Sequence, residues 1–372
     1  MQPNLQKNDI LWLIRKLTFD LFQLKITKMF LIITSVSIIL LTIIQTFLFL
    51  KKFNGYYFIM YSAVYTGSLF ILVSSLSVLP ISKLIKTAWV KFSFWEINSA
   101  TPKIERKIRK EIFYINCVVF FNTIVAIISG IFHAIPLQDD EELFYPLAIF
   151  ETYTPEWKDW FSGIYRASFL PMPIIMVAPA YTVVYLCAHM RFQFCLLLHF
   201  LENINPDNEN ISDKKYQAQI KERLHFCIKR HIHLFSKSRP VLEDLKKFVF
   251  VLTLCGTIFC ISIIIFHFSF QGTYEGRYPR IITIIIAASI TFFLSILPGQ
   301  LIENTSSEIF EVLRNTNWVS WNEQNKKLFI ILLLNTRQIY KIKITENVSL
   351  NYELGVTMAK AMYSMISVMK QL

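Results

Sequence analysis

The residues of this chain that could do chemistry are few and badly spaced for it. His231 and His233 are two apart, so on a helix they point away from each other, and no carboxylate or cysteine cluster stands at metal-ligand spacing. The six cysteines, Cys117, Cys187, Cys195, Cys227, Cys255 and Cys260, fall in apolar stretches or in segments assigned below to the cytosol. That placement implies no disulfide framework and suits small buried hydrophobes. Nine glycines are spread along the chain without a phosphate-binding loop. No pair of carboxylates sits inside an apolar run, as proton-coupled transport would require. The expectation is no catalysis, no metal and no cofactor.

The elements that would position any site are visible as apolar runs. Hydrophobic residues make up 54% of the 372 positions and charged residues 17%, more apolar surface than a soluble core of this size needs. The 33 Phe and 16 Tyr suit lipid-facing and interfacial positions. A bilayer core takes about 20 apolar residues in a helix. Six runs meet this at residues 29–50, 57–79, 112–134, 168–186, 248–268 and 281–297. A seventh at 350–370 is flecked with Gly355, Thr357, Lys360, Ser364 and Ser367, which a helix shielded by other protein can tolerate. The expected fold is an all-α membrane protein of seven spans in a single domain, residues 1–372.

Lys and Arg fix the expected orientation. With the amino terminus cytosolic, the inner segments carry thirty of the 38, and the outer segments 51–56, 135–167 and 269–280 carry two each. This bias accounts for the net charge of +12 through the lipid bilayer, without nucleic acid. No cleavable signal is visible before the first run, so that run is expected to act as the insertion signal. Residues 11–24 read as an amphipathic helix on the inner membrane face. Within the inner segments, Tyr216, Ile220, Leu224, Cys227, Ile228, Ile232 and Phe235 recur at helical spacing over 213–237. A second inner helix is expected over 318–335, the two forming cytosolic anchor helices or, alternatively, lying on the inner leaflet.

The carboxy-terminal third carries Trp318 or Trp321, then Lys326-Lys327-Leu328, then Thr336-Arg337-Gln338, and Tyr363-Ser364 in the last helix. This arrangement resembles the end of an insect odorant receptor. Leu354 stands where that family usually has Phe. The sister gustatory family usually carries Thr-Tyr and, further on, Gln-Phe; here Met362 precedes Tyr363 and the chain ends Lys370-Gln371-Leu372. A G-protein-coupled receptor shares the span count but has the opposite orientation. The remaining alternatives are a gustatory-type channel and a multi-span transporter or membrane enzyme.

The resemblance implies an odorant-binding subunit of a tetrameric, ligand-gated, non-selective cation channel, assembled with a common co-receptor in the dendritic plasma membrane of olfactory neurons. It also implies that the last helix lines the pore for permeating cations. Ala359, Met362 or Tyr363, Ile366, and Met369 or Lys370 share one helical face. Ile366 falls at the family's apolar constriction, where a ring of such side chains gates by dewetting; the alternative is ordinary helix packing. Lys370 would sit near the outer mouth and disfavour cation entry into a homotetramer, unless it snorkels to the headgroups. Met358, Met362, Met365 and Met369 form a stripe of flexible thioethers.

By the same resemblance, a small volatile apolar odorant binds in the outer half of the membrane. The positions implied are Tyr61, Val64 and Tyr65 in the second span, and Ile127, Gly130, Phe132 and His133 in the third. Met172, Ile175 and Met176 follow in the fourth span, and Tyr278, Ile281 and Ile282 at the sixth. Each could instead face lipid or a neighbouring helix. His133 is expected to donate one hydrogen bond to a ligand oxygen, or else to face interfacial water.

The orientation has a direct test. A tag after Leu372 should be accessible from outside intact cells and one before Met1 should not. The sequons beginning at Asn210, Asn304 and Asn347 should remain unglycosylated, read as no shift on glycosidase treatment.

Overall fold

The computed structural model describes residues 9–51, 55–91, 94–137, 140–205, 214–269 and 277–369. Apolar runs become helices: α1 (Lys25–Lys51), α2 (Gly55–Lys91) and α3 (Pro102–Ala134). Two short helices, α4 (Tyr145–Tyr153) and α5 (Lys158–Ser168), follow before α6 (Met172–Glu202). Then come α7 (Lys214–Ser269), α8 (Tyr278–Arg314), α9 (Glu323–Thr336) and α10 (Tyr352–Met369). Among the described residues, six helices are long and apolar enough to cross a membrane, and α10 is not one of them. The only extended pairing among the described residues is an isolated bridge between Lys343 and Ser349, ahead of α10.

Helix α6 is buried along most of its length, packing on α2, α3, α7 and α8. Helix α1, by contrast, touches α2 and leaves Ile32, Val36, Ile39, Ile43 and Phe47 exposed, the pattern of a helix with lipid on its outer side. Helices α2 and α7 meet through two reciprocal small-to-large contacts. A Cβ on Gly67 would lie 2.9 Å from the Phe259 ring, and one on Gly256 3.4 Å from the Phe70 ring. The two rings stack, centroids 6.0 Å apart.

Several element boundaries differ from the sequence expectation. The inner helix expected over 213–237 and the fifth span are one 56-residue helix, α7, with Pro240 inside it. The fourth span begins at Met172 rather than 168, because the chain turns through Phe169–Pro171 after α5. The helix expected from 318 begins at Glu323, where the Asn322 side chain accepts the Asn325 N–H at 2.9 Å and caps it. The amino-terminal turns at 12–23 give their apolar side to protein as well as to any membrane: Leu11, Ile14, Phe19 and Phe22 are buried. They dock on α6, whose Tyr185 hydroxyl donates to Asp9 at 2.7 Å, with His189 3.4 Å from the same carboxylate.

At the other end, one carboxylate gathers the connection between α3 and α6. Asp140 is buried and meets Arg280 of α8 at 2.6 Å and Arg166 of α5, and it accepts the Leu137 N–H at 3.0 Å. Arg280 also donates from Nε to the Phe132 carbonyl at 2.8 Å and from Nη2 to the Ile135 carbonyl. Burial disfavours the Asp140 anion. The hydrogen bonds from Arg280, from the Leu137 N–H and from Arg166 outweigh that and hold its carboxyl below the ordinary value of 3.8.

Near α10, Gly299 of α8 admits a close backbone approach: a Cβ there would lie 2.0 Å from the Leu350 carbonyl oxygen. Leu350 is held by its N–H donating to the Ile342 carbonyl at 2.8 Å, and Asn351 by its amide donating to Glu303 at 3.2 Å. The start of α10 is therefore fastened to α8.

Three substitutions test these contacts. Gly299→Ala should destabilise the protein by about 1–3 kcal/mol, because the obstacle is backbone and cannot swing aside. Gly163→Ala in α5, where nothing lies within 4 Å, should be neutral or stabilising by about 0.5–1 kcal/mol; thermal melts in detergent compare the two. Asp140→Asn should cost about 3 kcal/mol by leaving two arginines short of their anion. Since the folded carboxyl titrates below its unfolded value, that difference should hold steady above about pH 5 and shrink as acid protonates the native carboxylate.

Candidate functional site

Between these helices lies a cavity of about 950 Å³. Its walls come from α1, α2, α3, α6, α7, α8 and α10, with Phe144 and Tyr165 from the connection between α3 and α6. Most of the lining is aliphatic or aromatic. Such a space binds by dispersion and desolvation, with orientation left to a few polar groups. Serine and threonine in the wall largely satisfy themselves: Ser68 donates to the Val64 carbonyl at 2.9 Å and Thr257 to the Thr253 carbonyl at 2.8 Å.

Of the positions inferred from sequence, the cavity brings together Val64, Gly130, His133, Met172, Met176 and Ile281. The others lie off its wall. Tyr61 and Tyr65 belong to an aromatic cluster with Phe49 and Tyr145, and the Tyr61 ring lies 4.7 Å from that of Tyr145. The Tyr61 hydroxyl donates to the Glu141 carbonyl at 3.2 Å and the Tyr65 hydroxyl bonds Thr46 at 2.9 Å, so both fasten α2 to neighbouring elements. Ile175 packs with Phe22, Leu31, Val78 and Ala178. Ile127, Tyr278 and Ile282 are exposed on the surface of the bundle; Ile127 and Ile282 each follow a cavity-lining residue, and one residue turns a helix by about 100° away from that face. Phe132 contributes its carbonyl to Arg280 rather than its ring to the cavity wall.

Gly130 has a second reason to be glycine. A Cβ there would lie 2.6 Å from the Phe169 carbonyl oxygen and 2.9 Å from the Pro173 ring. The donor expected at His133 is turned into its own helix: Nδ1 lies 2.7 Å from the Ser129 carbonyl oxygen, which can only accept. The ring stands 6.0 Å from that of Phe169.

Sequence reasoning missed the α7 wall and the aromatic Phe144. The small residues Gly67 and Gly256, one in each apolar run, were the available signal for a close α2–α7 seam. In α10, Met358 and Met362 line the cavity, whereas Tyr363 is 72% exposed and Ala359 lies on the same outward side. Of the two residues weighed for the outward face, the geometry places Tyr363 there and turns Met362 inward. Ile366 and Met369 lie within α10, with side chains outside the description, and Lys370 lies outside the described residues.

Comparison with known proteins adds to this geometry. The fold is similar to that of the insect olfactory receptor OR5 from Machilis hrabei solved in complex with eugenol. That match has a TM-score of 0.70 at 13% identity and covers 99% of this chain and 98% of that one. The same receptor solved in a second structure aligns with a TM-score of 0.66 at 12% identity, over 96% of each chain. No curated protein matches the sequence significantly. The family profile described as 7tm Odorant receptor matches residues 96–363. The chain belongs to the 7tm odorant receptor family, a family of membrane receptors rather than enzymes.

Proposed function

We propose that this chain is the odorant-binding subunit of a heteromeric, ligand-gated, non-selective cation channel, assembled with a co-receptor in the dendritic plasma membrane of olfactory neurons. The observation that carries the reading is the continuity of the apolar cavity with α10 through Met358 and Met362. A ligand in that space bears on the helix assigned to the pore. Helix α10 is about 27 Å long at 1.5 Å per residue, close to the bilayer core. It leaves Thr357, Lys360, Tyr363 and Ser364 exposed on this single chain. In hydrocarbon such a face needs protein or water beside it, which other subunits around an ion pathway would supply. The amino terminus is taken as cytosolic and the carboxy terminus as external, on the distribution of Lys and Arg.

Co-expression with an odorant co-receptor tests this. Odorant-evoked cation current should require both chains, with little current from this chain alone. Robust current without the co-receptor would favour a gustatory-type channel. An odorant panel giving no current, with both chains at the cell surface, would reject the channel reading.

A further inference from the structure

The wall of the cavity near its outer end offers a ligand a hydrogen-bond acceptor at a defined place. A neutral imidazole carries a single proton. The Ser129 carbonyl, 2.7 Å from Nδ1 of His133, can only accept, so in the neutral ring the proton sits on Nδ1. Nε2 is then a bare lone pair on a residue that lines the cavity. Two donors of the cavity wall are committed elsewhere. Arg280 spends Nε on the Phe132 carbonyl, Nη1 on Asp140 and Nη2 on the Ile135 carbonyl, and Ser168 donates to the Tyr165 carbonyl. The aromatic neighbours Phe144 and Phe169, whose rings lie 5.2 Å apart, add no polar group.

We propose that His133 is a specificity-determining residue whose Nε2 accepts a proton from the ligand, so that the cavity favours alcohols and phenols over ketones and esters of the same skeleton. A hydroxyl brings the missing donor. A carbonyl brings another lone pair, must give up its own water on entry and faces Nε2 with no proton between them. The inference rests on the cavity being the ligand site, as proposed above. It also reverses the polarity that a histidine in this position suggests from sequence alone.

Binding to the purified full-length chain in detergent separates the two readings. The probes are matched pairs, cyclohexanol with cyclohexanone and 1-phenylethanol with acetophenone, and the readout is ligand-dependent thermal stabilisation. In the unmodified protein each alcohol should bind about tenfold more tightly than its ketone, the size expected for one buried hydrogen bond. In His133→Phe the ratio should fall to about one, with the ketone affinity within about twofold of its original value. Equal affinities in the unmodified chain, a ratio that survives in the variant, or binding of neither member would overturn the proposal. The comparison in the unmodified chain needs no variant to fold. If the alcohol preference is present while co-expression with the co-receptor yields no current, the selectivity stands and the channel reading fails.

Discussion

Helix α6 runs through the middle of the molecule buried on nearly every side, so the polar side chains it carries have to find partners on other elements. Each level of the helix does so with a different partner. Within the bundle, Tyr181 bonds Asn122 and Thr123 of α3, both at 3.0 Å, and Asn122 passes on to Thr291 of α8 at 3.0 Å. Lower down, Tyr185 and His189 hold Asp9 and with it the amino-terminal turns. Gln193 then accepts the Trp95 N–H at 2.9 Å and donates to the Trp95 carbonyl at 3.1 Å, fixing the connection between α2 and α3. Arg230 of α7 bonds the same Gln193 and lies 4.0 Å over the Trp95 ring. Apolar packing alone would leave such helices free to slide and rotate. These bonds give the bundle its register.

The cavity occupies the part of the bundle where α6 has no such polar bond to spend. There the wall is mostly thioether, aliphatic and phenyl, so that shape decides most of what could fill the space. Asp140 and its two arginines close one end of the bundle by fastening α8, α5 and the end of α3 together. This arrangement keeps charge at the rim and out of the interior, where an unpaired ion would be costly.

The helices were legible in the sequence because a membrane span needs only length and hydropathy, and the six apolar runs all fall within observed helices apart from the first residues of the fourth. Where helices start and stop was less so. Nothing in the composition of 238–247 distinguishes a loop from the middle of α7, since Pro240 is compatible with either. Val64, Met172 and Ile281 lie on the cavity wall, but the facing of a residue depends on rotation about the helix axis. That rotation is set by contacts distant in sequence, such as Gly67 against Phe259, and it leaves Ile127 and Ile282 off the cavity wall. His133 shows the same limit at the scale of one proton, because only the geometry to Ser129 tells which nitrogen is spent.

Helix α7 is about 84 Å long at 1.5 Å per residue, and its ladder lacks one rung, since Pro240 has no N–H to offer the Ser236 carbonyl. The missing rung makes that turn the compliant point of an otherwise stiff lever. At this level the Ser238 hydroxyl accepts from Tyr340 at 2.6 Å, and Tyr340 also donates its backbone N–H to Ser306 of α8 at 2.9 Å. The Tyr340 segment continues to Leu350 and into α10. Swinging of the upper arm of α7, which walls the cavity from Val249 to Phe266, would pivot where the strap leading to α10 is tied. Displacement at one end of the rod would therefore be felt by the segment that leads into the last helix.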